Sequence, residues 1–386
     1  MTAPALLAGI AATAAAVRRY RTRIARAPEL VYRETPLLAH VRARCAALTE
    51  PYRPPWWSAN RHLQLALLAW RDARTPPLRY DETERLTLPD GGTVSLDWLG
   101  LEDPPATPLV VVLPTICGDG QSMRRTVRAF RRRLGWRVVV CNRRGHGALP
   151  LTAPRVSTLG ATADVRAQLA RIRARLPAAP LYAVGVSAGS GLLVRYLGEE
   201  GLRAPLAAAV AYCPGYDTTR AFHRVHRCYD RYLLGAVRRY FLERHAATLA
   251  MHPGWDAAMR SRTIGELHDR QHPFAGFATA EEYHAHTNPM RVADAVGVPL
   301  LILNAADDPV CTRANVEEHR GLFGRVPESL LVLTERGSHC AFFEGHWRPR
   351  SWAHRLIAEY FTAVHDWTPG AAPSSAATAP ASRSAG

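Results

Sequence analysis

The stretch Gly185-Val186-Ser187-Ala188-Gly189 follows the apolar run Leu181–Val184 and precedes a segment with one apolar helical face. A serine between two glycines, at the turn from a strand into a helix, is typical of a nucleophile whose hydroxyl stands out at the carboxyl edge of a sheet. The turn is so tight that its flanking positions must lack bulky side chains. We therefore predict that Ser187 is a nucleophile; the alternative is a tight strand–helix turn with a bystander serine.

A serine hydroxyl needs a histidine to take its proton, and that histidine needs a carboxylate to orient it. The apolar run Leu300–Asn304 is followed by Asp307-Asp308-Pro309, and the run Leu330–Leu333 by Gly337-Ser338-His339. We predict His339 as the base. Asp308 is preferred as the acid because an acid directly followed by proline and an apolar residue is the usual turn in such a loop, which leaves Asp307 to cap that loop.

The developing oxyanion requires backbone N–H donors. The N–H that follows the nucleophile belongs to Ala188, and a second donor is expected from the loop after the strand Leu109–Leu113. Ile116 in that loop is our candidate. Thr115 precedes it and restricts the backbone to negative φ more strongly than the glycine that is common at this place.

Before and after the stretch at 185–189, short β-branched runs alternate with amphipathic helical segments, such as 162–176. This alternation indicates an α/β protein with a mostly parallel central sheet and helices on both faces. A hairpin of residues 85–88 and 93–98 precedes it. The predicted parallel strands are Leu109–Leu113, Trp136–Cys141, Leu181–Val186, Ala207–Tyr212, Leu300–Asn304 and Ser329–Leu333.

The alternation breaks between Cys213 and Leu300, where a segment rich in Arg, His, Tyr and Phe is far longer than one crossover helix requires. We interpret residues 216–297 as an inserted cap within a main domain at 80–367. Residues 29–79 form an amino-terminal extension that packs against this domain. Residues 368–386 form a low-complexity run of small residues with nothing to bury, which predicts a disordered tail.

The composition excludes several classes of protein. The chain has 386 residues, of which 47% are hydrophobic, and a formal charge of +16. All its basic residues are arginine, scattered rather than interleaved with aromatics, so we expect no nucleic-acid partner. Seven cysteines without Cys-x-x-Cys spacing do not predict a disulfide framework or a zinc knuckle.

No phosphate-loop or dinucleotide motif is present in the sequence, and we expect no cofactor or bound metal. The set His223-x-x-His226-x-Cys228 has potential metal ligands, but we interpret it as solvated surface of the cap.

Residues 3–17 are apolar or small and run directly into Arg18-Arg19. Within residues 1–28 this pattern fits a membrane anchor, a targeting segment or a frayed helix, and the run is short for a bilayer span. We expect membrane association through the amino terminus, with a cytoplasmic or organellar location as the alternative.

Further motifs follow one another in a fixed order across about residues 50 to 365. They are Asn60-Arg61-His62-Leu63-Gln64, Asn142-Arg143-Arg144-Gly145-His146-Gly147, Leu159-Gly160-Ala161-Thr162-Ala163-Asp164 and Arg195-Tyr196-Leu197-Gly198-Glu199, together with the acid and base loops. This set resembles the α/β-hydrolase family of bacterial YheT-type hydrolases, plant embryogenesis-associated homologues, fungal medium-chain ester synthases/esterases and mammalian membrane-bound hydrolase-domain lipases, the AB hydrolase 4 family. Two positions depart from its pattern: Pro114-Thr115 replaces a glycine-containing dipeptide, and Arg61 replaces a proline.

The resemblance implies an α/β-hydrolase fold and a serine hydrolase of the esterase or lipase type, which acts on medium-chain or lipid-like carboxylic esters without a metal. Its partners are then a small ester or lipid and a membrane surface. Alternatives are an alcohol acyltransferase with the same three residues, a peptidase or thioesterase, and a hydrolase fold kept as a non-catalytic binding module.

Overall fold

The structure is a computed structural model that describes residues 3–368 of the chain. Its eleven strands include nine that form one sheet in the order β1-β9-β8-β7-β6-β4-β5-β3-β2. The strands are β1 (Glu29–Tyr32), β2 (Glu82–Thr87), β3 (Thr93–Leu99), β4 (Leu109–Leu113), β5 (Arg137–Asn142), β6 (Leu181–Val186), β7 (Ala208–Tyr212), β8 (Leu300–Ala305), β9 (Ser329–Thr334), β10 (Phe343–Glu344) and β11 (Arg350–Ser351).

Strands β4 to β9 pair in parallel, and β1, β2 and β3 join antiparallel at the two edges. The helices are α1 (Ala3–Arg19), α2 (Pro36–Arg44), α3 (Ala46–Thr49), α4 (Arg61–Arg74), α5 (Arg124–Leu134), α6 (Thr162–Arg175), α7 (Ala188–Glu200), α8 (Thr218–Ala221), α9 (Arg227–Val237), α10 (Ala246–Leu249), α11 (Trp255–Met259), α12 (Ile264–Asp269), α13 (Ala280–Thr287), α14 (Arg313–Phe323) and α15 (Trp352–His365).

Helices cover both faces of the sheet, as predicted. Because side chains alternate along a strand, Val110 and Val112 face a core formed with α2, α3, α5 and α15, whereas Val111 faces a second core formed with α6, α7 and α14. Strands that are buried on both faces have continuous apolar sequences, and their positions were predictable for this reason.

Strand β1 was not predicted. It comes from the extension at residues 29–79 and pairs antiparallel with β9, with Glu29 opposite Leu333 and Tyr32 opposite Leu330. The strand has only four residues, and all of them are exposed or half-buried. A run this short shows no periodicity in the sequence. One segment of the extension is therefore part of the central sheet.

Two of the sequence motifs meet in a buried ion pair. Arg144 donates from Nε and Nη2 to the two carboxylate oxygens of Asp164 at 2.7 and 2.8 Å. Both side chains are buried, and Arg144 also donates to Asp90 at 2.6 Å. The pair joins the segment after β5 to the first turn of α6, and it gives both motifs a structural role.

Helices α8 to α13 lie between β7 and β8, in the region predicted as a cap. An apolar cluster that includes Leu234, Val237 and Leu267 joins these helices to Leu151 and Val156 in the segment before α6. The boundaries 216–297, like the other domain limits, stay predictions.

At the amino terminus, α1 is followed by a π-helical turn, Tyr20–Ile24. Within residues 3–368, the structure contains no helix that is both long enough and apolar enough to span a bilayer. The predicted tail at 368–386 lies outside the described residues except for Thr368.

Candidate active site

The turn between β6 and α7 explains the two glycines that flank Ser187. A Cβ atom on Gly185 would overlap the carbonyl oxygen of Gly189, and a Cβ atom on Gly189 would overlap that of Leu113. Ser187 itself has φ +54°, a conformation that non-glycine residues seldom adopt. This strained backbone holds the Ser187 hydroxyl at the carboxyl edge of the sheet, where the later strands also end.

The structure brings three of the predicted residues into one chain of hydrogen bonds. The Oγ of Ser187 lies 2.8 Å from Nε2 of His339, and Nδ1 of His339 lies 2.8 Å from Oδ2 of Asp308. These distances allow Ser187 to pass its proton to His339 while Asp308 fixes the ring orientation. The Asp308 side chain is fully buried, and the His339 side chain is 15% exposed.

The two adjacent aspartates have different contacts. Asp308 is held in place by the N–H groups of Val310 and Cys311, which donate to its Oδ1 at 2.7 and 2.8 Å. Asp307 accepts instead from the N–H of Ser338 at 2.9 Å, so it braces the loop that carries His339. The carboxylate that contacts the imidazole is therefore that of Asp308.

The electrostatic environment of His339 favours its protonated form. Burial alone lowers the pKa of this imidazole, but the Asp308 carboxylate and the surrounding polar groups outweigh burial and hold the pKa well above its ordinary value. Asp308 thus stabilises the imidazolium that forms when the ring takes a proton.

The predicted oxyanion donors, Ile116 and Ala188, line one cavity together with Ser187 and His339. The loop that carries Ile116 is fixed from behind by a residue whose role sequence reasoning missed. The buried guanidinium of Arg143 donates to the carbonyl of Thr115 and, at 2.9 Å, to that of Ile116. The motif at 142–147 contained the signal for this role, since Arg143 follows β5 beside the loop.

The cavity above Ser187 is predominantly apolar and measures about 80 Å³. Its apolar walls come from the cap, the oxyanion loop and the loops after β5 and β8. They include Ile116, Leu159, Phe222, Val225, Leu233, Ile264 and Val310. Such a volume is far below the roughly 300–1,000 Å³ of a drug-sized site, so a long acyl chain requires cap side chains to move.

The extension supports the loop that bears His339. Gln64 is fully buried on α4, and its Oε1 accepts from the N–H of Phe343 at 3.1 Å. Tyr52 donates to the carbonyl of the same Phe343 at 2.9 Å. Asn60 caps α4 by accepting from the N–H of His62 at 2.8 Å. The motif at 60–64 therefore contributes to the site indirectly, through the segment after His339.

Sequence reasoning also missed a group of thiols around His339. Cys213, Cys311 and Cys340 follow β7, β8 and β9, and each belongs to a set of close potential ligand atoms that includes His339. Within residues 3–368, His223, His226 and Cys228 form no such set. His223 instead contacts Asp269 at 3.0 Å, and Cys228 is exposed.

The sequence and the fold of this chain are similar to those of known proteins. The alpha/beta hydrolase fold family matches residues 108–346, more than half of the chain. Mouse phospholipase ABHD3 is 28% identical, over 89% of this chain and 86% of its own. Human monoacylglycerol lipase ABHD2 is 27% identical, over 88% and 86%. A solved prolyl endopeptidase structure has a TM-score of 0.50 at 14% identity, over 74% of this chain and 38% of its own, and shares the fold alone.

These relatives extend over nearly the whole chain, and the family match contains Ser187, Asp308 and His339. The sheet order, the turn at Ser187 and the sequence comparison agree. This chain therefore belongs to the α/β-hydrolase fold family, beside relatives that are named as lipases.

Proposed function

We propose that this protein is a serine hydrolase that cleaves carboxylic esters with medium-chain or lipid-like acyl groups, of the acylglycerol lipase or esterase type. The observation that carries the proposal is the hydrogen-bonded chain from Asp308 through His339 to Ser187 at the base of an apolar cavity. No metal or cofactor is required by this chemistry.

The reaction runs in two halves. Ser187 attacks the ester carbonyl while His339 takes its proton, and the N–H groups of Ala188 and Ile116 stabilise the oxyanion. The imidazolium then protonates the leaving alcohol, which leaves an acyl group on Ser187. Water activated by His339 attacks this acyl-enzyme and releases the acid.

The substrate class is supported by the cavity wall and by the relatives. Aliphatic and aromatic side chains surround Ser187, so an acyl chain gains free energy by leaving water there. The names phospholipase and monoacylglycerol lipase describe lipid esters as the substrates of the two relatives. We extend that substrate class to this chain.

Hydrolysis of a series of p-nitrophenyl esters from acetate to palmitate tests the proposal. The wild-type protein is expected to hydrolyse them with a maximum at medium chain length, and the Ser187→Ala variant to retain less than a few per cent of that rate. Addition of an alcohol separates hydrolysis from acyl transfer, because an acyltransferase forms the new ester in preference to the free acid. Residual activity above a few per cent in Ser187→Ala overturns the assignment.

We also propose that the amino terminus lies on a membrane surface. On α1, Leu7 is 67% and Ile10 is 58% exposed, and the helix ends in Arg18 and Arg19, which suit an anionic interface. Tyr20, which follows the helix, donates to the carbonyl of Pro54 at 2.6 Å.

The tryptophans near the end of α1 support the same proposal. Trp56 is 62% and Trp347 is 87% exposed, and both flank the region that Tyr20 contacts through Pro54 and His346. Tryptophan favours the boundary between lipid and water. In this arrangement the membrane contacts α1 and these rings together.

A further inference from the structure

Three of the seven cysteines lie at the active site, although they are far apart in sequence. Cys213 directly follows β7, Cys311 lies in the loop after β8, and Cys340 follows His339 after β9. The carboxyl ends of parallel strands meet at one edge of the sheet, which places all three thiols beside the imidazole.

The closest set consists of Cys213, His339 and Cys340. One ligand atom from each, the two Sγ atoms and a ring nitrogen, lie within 4.8 Å of one another. The N–H of Cys340 donates to Sγ of Cys213 at 3.3 Å. Both cysteines have positive φ, +56° for Cys213 and +58° for Cys340, so an unusual backbone conformation holds each thiol in place.

This arrangement fits a soft divalent metal ion. Tetrahedral zinc binds sulfur at about 2.3 Å and imidazole nitrogen at about 2.0–2.1 Å, which puts its ligand atoms roughly 3.5–3.8 Å apart. The donor atoms already lie within 4.8 Å of one another, so they need to approach by only about 1 Å to reach that spacing. Two thiolates and one imidazole match the ligand preference of Zn²⁺, and the remaining position is left for water.

We propose that Cys213, Cys340 and His339 form an inhibitory binding site for Zn²⁺ or a similar thiophilic divalent cation. Binding forms two metal–sulfur bonds and one metal–nitrogen bond; each of the two thiols releases a proton to solvent, and the imidazole, where it is protonated, releases a third. No oxidant or other reactant takes part.

Either ring nitrogen of His339 leads to inhibition. A metal on Nε2 takes the place of the Ser187 hydroxyl, which lies 2.8 Å from that atom. A metal on Nδ1 breaks the contact to Asp308 and leaves the proton on Nε2, where the ring can no longer accept one. This consequence rests on the proposed function, but metal binding itself does not.

A second set, Asp308, Cys311 and His339, shares the imidazole and supplies the matched control. It offers one thiolate instead of two, and its carboxylate already accepts two backbone N–H bonds. We therefore assign the metal to the two-thiol set, and we expect Cys311 to be dispensable for binding.

The test uses the full chain with Cys228→Ala, which removes the exposed thiol, as the parent. Zn²⁺ is titrated by calorimetry, and Co²⁺ by its visible absorption, after removal of reductant. The parent is expected to bind one Zn²⁺ per chain, to show the spectrum of tetrahedral thiolate coordination with Co²⁺, and to regain activity when a chelator is added. Substitution of a group that only orients a metal ligand costs roughly 10–100-fold in metal affinity, so Cys340→Ala, which removes a direct ligand, is expected to weaken Zn²⁺ binding by at least about 10-fold.

Cys311→Ala is expected to bind Zn²⁺ like the parent. Inhibition is expressed relative to the metal-free activity of each variant, and thermal melting confirms that each variant is folded. If an alanine variant does not fold, the serine variant at the same position, Cys340→Ser or Cys311→Ser, replaces it. Equal Zn²⁺ affinity in Cys340→Ala and Cys311→Ala, or absence of binding to the folded parent, overturns the inference. If Cys340→Ala loses Zn²⁺ binding but neither the parent nor any variant has esterase activity, the metal site is upheld and the proposed function is contradicted instead.

Discussion

At the scale of single residues, the proposed mechanism depends on the charge of one imidazole. His339 must be neutral to accept the Ser187 proton, and the neighbouring carboxylate of Asp308 opposes loss of its proton because it raises the pKa of the ring. The same carboxylate then stabilises the imidazolium in the transition state. Asp308 therefore raises the pH range in which His339 is neutral and the protein is active, and it also accelerates the reaction.

We predict that kcat/KM rises with pH and that the midpoint of the rise lies above about 6.5, the ordinary value for histidine. In Asp308→Asn the rise moves to lower pH, because the negative charge is lost, and the plateau falls by about 10³–10⁴-fold. Profiles of kcat/KM against pH on a soluble ester measure both effects. Asp307→Asn is the control: its amide oxygen still accepts from the N–H of Ser338, so it retains the wild-type midpoint and most of the activity. An unchanged midpoint in Asp308→Asn contradicts this account.

At the scale of elements, the loop after β4 depends on a guanidinium for its shape. Thr115 directly precedes the predicted donor Ile116, and Arg143 fixes the carbonyls of both residues. When a carbonyl is held from one side, the following N–H is oriented as well, because the peptide unit is planar. Arg143 is in this view a positioning residue for the oxyanion donor.

We predict that Arg143→Met lowers kcat by about 10–100-fold with little change in KM, since loss of one oxyanion donor alone costs about 10²–10³-fold. Arg143→Lys, which keeps a donor, is expected to recover part of the rate. Steady-state kinetics on one soluble ester, with thermal melting to confirm folding, provide the measurement. A rise in KM at constant kcat would instead place Arg143 in contact with the substrate.

The elements also show what the sequence reveals and what it hides. The predicted strands at 109–113 and 181–186 match β4 and β6 at both ends, because their residues are apolar on both faces of the sheet. The positions of Ser187, Asp308 and His339 were predictable for a related reason, since each residue follows such a strand. Strand β1 was not predicted, because a partner 300 residues away stabilises a run too short to have a pattern. The proximity of Cys213 and Cys340 was not predicted either, because it depends on the order of the strands in the sheet.

At the scale of the whole molecule, the chain places its apolar amino-terminal helix and several exposed tryptophans near one another. The proposed membrane-binding surface of the protein lies outside the catalytic centre, so membrane binding can be removed by substitutions that leave the catalytic residues in place. We predict that Leu7→Asp combined with Ile10→Asp lowers the fraction bound to anionic liposomes and leaves hydrolysis of a soluble ester unchanged. Wild-type binding is expected to weaken as salt increases, because the arginines attract the anionic headgroups.

Liposome flotation at two salt concentrations measures this binding. Leu202→Asp is the matched control, since Leu202 is 88% exposed but follows α7, away from α1 in the chain. Equal binding by the double variant and the control is the result that excludes α1 as the membrane contact.

The central claim is that the fold activates one serine. The most direct measurement is reaction of the folded protein with a fluorophosphonate probe, followed by mass spectrometry to locate the adduct. We predict a single adduct on Ser187, its loss in Ser187→Ala and much slower labelling in His339→Ala. Failure of the folded wild-type protein to react, or an adduct on another residue, would contradict the account and favour a hydrolase fold retained as a binding module.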